Sequence, residues 1–173
     1  MPLLVPPDVR FHDSWLEAAL EFGGYMDGGG TDAADVPPDR LATTAGFAAF
    51  VEALRADALP ATPRKHGFVP CTYRWMAEDG VFLGSIAIRH ELNAFLYDQG
   101  GHIGYSVRPT ARRRGHATRA LAEALPIAHA LGIARALVTC DEDNLGSRAV
   151  IEANGGDYAD TRGVKRRYWI DTA

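Results

Sequence analysis

The sequence predicts an α/β protein, a mixed and mostly antiparallel sheet with helices packed on it, in one domain spanning 1–173. Three observations carry this. Segments with helical spacing stand before, inside and after a run of strand-like segments. One strand ends in an arginine-rich turn that opens a helix. A chain of 173 residues with 47% hydrophobic content suits a single full core.

Residues 11–22 carry Phe11, Trp15, Ala18, Ala19 and Phe22 at helical spacing and predict the first helix. Gly23, Gly24, Gly28, Gly29 and Gly30 break that pattern, and Pro37-Pro38 closes the loop. Its length exceeds an ordinary connection, which reads as either functional or disordered. Residues 44–58 form a second helix with the stripe Phe47, Phe50, Val51 and Leu54, ended before Pro60 and Pro63. The period then changes. Residues 71–76 read as a strand, Glu78-Asp79-Gly80 as a turn and 81–89 as the returning strand. Residues 102–107 make a third strand that stops at Pro109. Residues 115–131 are helical, with Ala117, Leu121, Ala124, Ala128 and Leu131 on one face and Gly132 as the stop. Pro126 inside this helix predicts a kink or an unpaired carbonyl. A buried strand at 134–140, a short helix at 144–154 and a hairpin including 164–170 complete the chain.

The formal charge of -4 argues against general nucleic-acid binding. Its distribution is uneven. Residues 1–50 hold eight acidic residues against two basic ones, while Arg108, Arg112, Arg113, Arg114 and Arg119 gather around one turn. An acidic front and a basic loop suit an enzyme that joins a cationic substrate to an anionic one; ordinary surface unevenness is the plain alternative. No apolar run approaches a membrane span, and the first residues lack a basic region for export. Cys71 and Cys140 fit neither a metal spacing nor a disulfide framework. A cytoplasmic protein without metal, membrane or nucleic-acid partner is expected, and a homodimer is compatible with the sequence.

Residues 107–117 carry the strongest chemical signal. Backbone N–H groups at a helix start are unpaired, and the helix dipole adds roughly half a positive charge there. Gly115 lets an anion approach the backbone, and the arginines add donors. This is a place to hold a pyrophosphate. No Walker lysine follows Gly115, since His116 and Ala117 come next, and no complete Gly-x-Gly-x-x-Gly pattern is present. Both facts favour coenzyme A over ATP or NAD. A capped helix start at Asn144 is the plain reading of the second strand-to-helix junction.

Arg112, Gly115 and Ala117 match the Arg/Gln-x-x-Gly-x-Gly/Ala loop of the GNAT superfamily of acetyl-CoA-dependent N-acetyltransferases, and Asn144 and Ser147 match its Asn-x-x-Ala/Ser helix start. The chain resembles that superfamily. The resemblance implies the GNAT fold, with six or seven strands and about four helices. It implies that Arg112, Arg113, Arg114, Gly115, His116 and Ala117 hold the pyrophosphate of acetyl-CoA. It implies that the backbone of Tyr105, Ser106 and Val107, freed by a strand bulge, orients the acetyl carbonyl and pantetheine amides. Asn144 and Ser147 would contact the pantetheine arm or the thiol. The tyrosine that often follows that Asn by seven residues is replaced here by Ile151, so Ser147 is expected to assist the leaving sulfur. Glu91 and His102 are candidates for proton transfer from the amine; an ion pair for Glu91 and a strand-start hydrogen bond for His102 are the alternatives. Asp27, Asp32 and Asp35 are candidates for collecting a small-molecule amine.

A narrower resemblance involves 88–93, 100–105, Cys140-Asp141, 154–156 and 167–170. These segments are similar to a subgroup that includes kasugamycin 2′-N-acetyltransferases, which act on an aminoglycoside antibiotic and so confer resistance. A peptide or protein amine as acceptor, and a non-catalytic coenzyme A sensor, remain the alternatives at this level.

Overall fold

The computed structural model describes residues 3–23 and 26–173. Gly24, one of the glycines expected to break the first helix, lies outside the described residues. Seven strands form one sheet in the order β1-β2-β3-β4-β5-β7-β6. They are β1 (Leu4–Val5), β2 (Cys71–Glu78), β3 (Val81–Arg89), β4 (Ile103–Val107), β5 (Arg135–Asp141), β6 (Asp157–Arg162) and β7 (Lys165–Asp171). Every neighbouring pair is antiparallel except β4 and β5, which are parallel and share a single paired position, Ile103 with Val138. The sheet therefore opens into a gap past that pair.

Four longer helices match the expected segments: α1 (His12–Phe22), α4 (Thr44–Ala56), α5 (His116–Ala130) and α6 (Leu145–Ala153). Two one-turn helices, α2 (Thr31–Ala34) and α3 (Pro38–Leu41), fill the glycine-rich loop, which is thus structured after residue 26. Neither shows a sequence signal, because four residues cannot express a helical period.

The sheet's two faces are packed differently. On one, α5 sets Ala120, Leu121, Ala124 and Ala128 against Ile86, Ile88, Ile103, Val138 and Ile170. Ala120 replaces Ala117 and Leu131 of the expected stripe; Leu131 is exposed. Three alanines facing the sheet bring the helix axis close to it. Pro126 falls on the exposed face of α5, where the carbonyl it leaves unpaired meets water, so the helix runs through it. Glu123 of α5 accepts the N–H groups of Leu3 and Leu4 and fixes the amino-terminal strand. On the other face, α1 and α4 pack an aromatic layer of Phe11, Trp15, Phe47, Phe50, Trp75 and Phe82. Neighbouring rings meet at 5.3–6.1 Å, mostly tilted or edge-on, the arrangement their quadrupoles favour. Among the described residues no helix is long and apolar enough to cross a membrane.

Candidate active site

The β4–β5 gap is the centre of the site. Two ladder bonds, Arg89 N–H to the His102 carbonyl and Arg108 N–H to the Leu83 carbonyl, fix the parity of β4. The backbone groups of Gly104 and Ser106 point to β3, and those of Tyr105 and Val107 point to the gap. Ser106, expected to offer its backbone, is spent on the ladder to Ser85; its hydroxyl donates instead to the Asp27 carbonyl at 2.8 Å. The β3–β4 register runs unbroken from Gly84 to Ile88, so no bulge there frees β4, contrary to the expectation. The gap arises because β5 diverges after one pair.

His102 fixes the base of that divergence. Its N–H donates to the Leu137 carbonyl at 2.7 Å, and its ring Nδ1 accepts the Leu137 N–H at 2.9 Å. The ring thus substitutes for a strand partner. Burial, reinforced by the Arg89 cation, holds its pKa down to about 4. The neutral ring with Nδ1 accepting carries its proton on Nε2, so neither nitrogen offers a lone pair to a substrate. That geometry matches the strand-start hydrogen bond rather than a base. Glu91 lies just beyond β3, exposed, at the end of the site opposite the arginine loop.

At the other end of β4 the chain turns at Pro109 and enters α5. Arg113 at φ +65° and Gly115 at φ +80° curl the loop, and Gly115 is the N-cap with no side chain over the first turn. A Cβ built on Gly115 would meet no protein atom within 4 Å. The first N–H groups of α5, at His116 and Ala117, receive no side-chain cap, and the space above the neighbouring Gly115 is open, as a bulky anion requires. Arg112 donates Nε to the Val107 carbonyl at 3.0 Å and lies 5.9 Å over the Phe22 ring. Arg113 and Arg114 are exposed. Arg108 is different: it is engaged by Glu21 at 2.7 Å and Glu17 at 3.2 Å. Desolvation opposes ionisation of Glu21, but hydrogen bonds from Arg108 and Thr110 outweigh it and hold the carboxyl below its usual range. This cluster ties α1 to the start of the loop and subtracts Arg108 from the charge available to a ligand.

Inside the gap, Tyr105 sends its phenol across from β4 to the Ser147 hydroxyl on α6, at 2.8 Å. Asn144 caps α6 by accepting the Ser147 N–H at 3.0 Å, which sets Ser147 in the first turn. Burial pushes the Tyr105 phenol above its ordinary pKa, so it keeps its proton at neutral pH. Ile151 is fully buried in the aliphatic layer. The two cysteines are buried; burial pushes Cys71 up to about 12 and raises Cys140 as well.

The glycine-rich loop covers the opposite face of the same strand. A Cβ on Gly28 would collide with the Gly104 carbonyl, so only glycine allows this approach. The Ser85 hydroxyl donates to the Gly28 carbonyl at 2.7 Å. The result sets Asp27 beside Gly104: a Cβ on Gly104 would stand 3.1 Å from Asp27 Oδ1 and 3.3 Å from Arg89 Nη2. Asp27 is exposed at this position. Asp32 and Asp35 lie elsewhere, at Lys65, which binds the Asp35 carboxylate at 2.7 Å and the Asp32 carbonyl at 3.0 Å. The structure thus gathers Tyr105, Val107, Arg112, Gly115, His116, Ala117, Asn144 and Ser147 on one side of β4 and Asp27 on the other. The Tyr105 side chain is the hydroxyl in the gap that sequence reasoning missed. Among the described residues no cluster of His, Cys, Asp and Glu could hold a metal ion.

A family model described as an acetyltransferase (GNAT) domain matches residues 33–157. No curated protein sequence matches the chain. Among solved structures, RimJ from Mycobacterium smegmatis in complex with CoA-disulfide superposes with a TM-score of 0.64 at 21% identity, over 96% of this chain and 79% of that one. RimL, a ribosomal L7/L12 alpha-N-protein acetyltransferase, gives 0.61 at 14% identity over 97% and 88%. The microcin C7 self immunity acetyltransferase MccE, in complex with acetyl-CoA and AMP, gives 0.61 at 13% identity over 97% and 91%. At these identities the likeness is one of fold.

Proposed function

We infer the site's chemistry from the premise that this chain belongs to the acetyltransferase (GNAT) domain family and is an acetyl-CoA-dependent N-acetyltransferase. Acetyl-CoA supplies an activated acyl group as its thioester. The proposed pyrophosphate cradle is Arg112, Arg113, Arg114 and the N–H groups from Gly115 to Ala117, and the fit test is the open space above Gly115. The Tyr105 backbone groups and the Val107 N–H that face the gap are the proposed partners of the pantetheine arm; the Val107 carbonyl already accepts from Arg112. A Tyr105 N–H aimed at the thioester oxygen stabilises the charge that develops when an amine attacks. The carbon–sulfur bond then breaks; the sulfur leaves as the thiolate, hydrogen-bonded by the Tyr105 phenol and the Ser147 hydroxyl, and the proton that the attacking nitrogen sheds passes to it through that pair. The observation that carries this reading is the 2.8 Å Tyr105–Ser147 contact inside the gap.

The acceptor amine approaches from the glycine-rich loop, where Asp27 attracts it as an ammonium before it is deprotonated to water. His102 holds the strands and takes no proton. The acceptor we propose is a small amine such as an aminoglycoside, with kasugamycin the specific candidate. The carboxylate at Gly104 and the acidic front of the chain support it. The fold likeness to RimL, a ribosomal L7/L12 alpha-N-protein acetyltransferase, supports a second reading, acetylation of a peptide amine. The test is acetyl-CoA consumption against aminoglycosides, polyamines, amino acids and peptides. Turnover of kasugamycin with a product heavier by one acetyl group, and protection of a sensitive bacterium on expression, are expected. Turnover of peptides with no aminosugar product overturns the aminoglycoside reading. Turnover of no amine, with acetyl-CoA still bound, overturns the transfer reading.

A further inference from the structure

Arg167 on β7 is a buried cation whose hydrogen bonding is incomplete. It stands opposite Thr139 of β5, the first β5 residue past the single β4–β5 pair, on the same face as Gly104 and Asp27. Only 2% of it is exposed. Its Nη1 binds Asp160 of β6 at 2.6 Å, and the Tyr97 ring covers the guanidinium at 4.7 Å. Nε and Nη2 have no hydrogen-bond partner among the described residues. These two N–H groups lie side by side and form the edge of a guanidinium that takes both oxygens of a carboxylate. Unmet buried donors on a cation are costly, and an apolar side chain of similar length would fill the volume without that cost. Packing therefore does not account for an arginine here.

The surroundings suit an amine that also bears an acid. Asp27 is the carboxylate over β4; Arg89, Arg162 and Arg167 are cations on the same face, and Arg162, paired with Asp98 and Asp160, lies 5.2 Å from the Tyr97 ring. Arg167 is two strands from β4, about 10 Å across at ordinary strand spacing. Tyr97, in the 96–100 turn that Arg89 holds through the Gly100 and Gly101 carbonyls, is the movable cover; it is 45% exposed.

We propose that the Nε/Nη2 edge of Arg167 is an acceptor subsite that receives a carboxylate carried by the amine substrate when Tyr97 swings aside. This rests on the acetyl-transfer reading above. Two sources of such an acid, a short peptide and an amino-sugar acid, are tested as separate arms. Each is compared with its own carboxamide as acceptor, and each N-acetylated acid and amide is titrated calorimetrically into the CoA-loaded protein. Wild type should favour at least one acid over its amide about ten-fold or more in kcat/KM, and bind its acetylated form tighter by a similar factor. Arg167→Lys, which keeps the charge but loses the fork, should reduce the preference to a few-fold. Arg167→Met should erase it and leave turnover of the amide within about two-fold.

Equal handling of acid and amide by wild type in both arms overturns the proposal. So does an Arg167→Met protein, confirmed folded by circular dichroism, that loses acid and amide equally; the free edge then belongs to a water-bridged structural arginine. If Arg167→Met does not fold, the Arg167→Lys comparison decides. An Arg167-dependent preference in binding with no turnover of any amine leaves the subsite standing and removes the transfer reading instead.

Discussion

The two faces of the sheet are built on opposite plans. The α5–α6 face is aliphatic, and although Leu3, Met76, Ile86, Tyr168 and Ile170 share its core, its candidate ligand groups come from segments close in sequence: β4, its turn, α5 and α6 lie within residues 103–153. The α1–α4 face is aromatic, and its polar groups are scattered along the chain, among them Asp27, Ser85, Arg89, Ser106, Asp160 and Arg167. Even its hydrophobic layer is less settled, for the indole N–H groups of Trp15 and Trp75 are buried with no hydrogen-bond partner among the described residues. The first face uses backbone amides, a helix terminus and short contacts, which any anion of the right shape can use. The second uses scattered side chains, which can be changed one at a time. The first plan suits a shared cosubstrate and the second a particular acceptor.

That contrast can be broken most severely on the cofactor face. Gly115→Asp adds a negative charge at the mouth of α5, and Arg112→Ala removes a charge-assisted donor. Loss of one such pair costs about 1.5–3 kcal/mol, so acetyl-CoA affinity should fall roughly ten- to a hundred-fold by calorimetry, more for Gly115→Asp. A folded Gly115→Asp protein with wild-type affinity would remove the loop from the site. Next in size, Tyr105→Phe and Ser147→Ala should each lower kcat about ten-fold, with a smaller change in the acetyl-CoA KM. That split marks an interaction made in the transition state; if KM alone moves, the hydroxyls only bind.

The junction between the faces should respond to pH. The folded His102 pKa of about 4 lies below the ordinary 6.5, so the unfolded chain takes up its proton first as pH falls. Its stabilising contribution is complete above pH 6.5 and is lost as pH drops toward 4, by up to about 3 kcal/mol. His102→Asn supplies an acceptor for the Leu137 N–H without titrating, so the variant's melting temperature should fall less across this interval than that of wild type. Equal slopes would assign the acid sensitivity to other groups. The smallest effect belongs to the acceptor face. Asp27→Asn should raise the KM of a cationic acceptor a few-fold and flatten its salt dependence, while leaving acetyl-CoA affinity unchanged. Asp35→Asn, at the Lys65 pair, should do neither.

The same contrast explains what could be read in advance. The arginine loop and the Asn144 cap are contiguous motifs at strand-to-helix junctions, and their geometry is local, so spacing alone exposes them. The mixed sheet followed from the change of period at residue 71. The Tyr105–Ser147 pair joins residues 42 apart in sequence, and it exists only because β4 and β5 diverge; no periodicity encodes that. Ser106 was misjudged because strand parity depends on the register with β3, which is a tertiary fact. Three aspartates in one loop look alike as sequence, and only the collision of Gly28 with anything larger than glycine explains why Asp27 reaches the sheet and Asp35 does not. Arg167 stood out only as the first residue of the 167–170 segment of the narrower resemblance, and nothing in a run of three consecutive basic residues encodes that this one is buried.

β4 is five residues long and serves two clients by alternation. Tyr105 and Val107 turn their backbone to the gap, while Gly104 and Ser106 hold the glycine-rich loop. Removing or adding one residue between Ile103 and Val107 would exchange these assignments along the rest of the strand. The groups facing the gap would turn to β3, and the phenol would leave α6 for the opposite side of the sheet. Substitutions in this strand can be compensated singly, but a change of length cannot. Length changes near β4 should therefore be tolerated only ahead of the strand, in the 93–101 turn, and a library of loop lengths in this protein should yield acetyltransferases only when those five positions and the spacing of residues 112–117 are left intact in number.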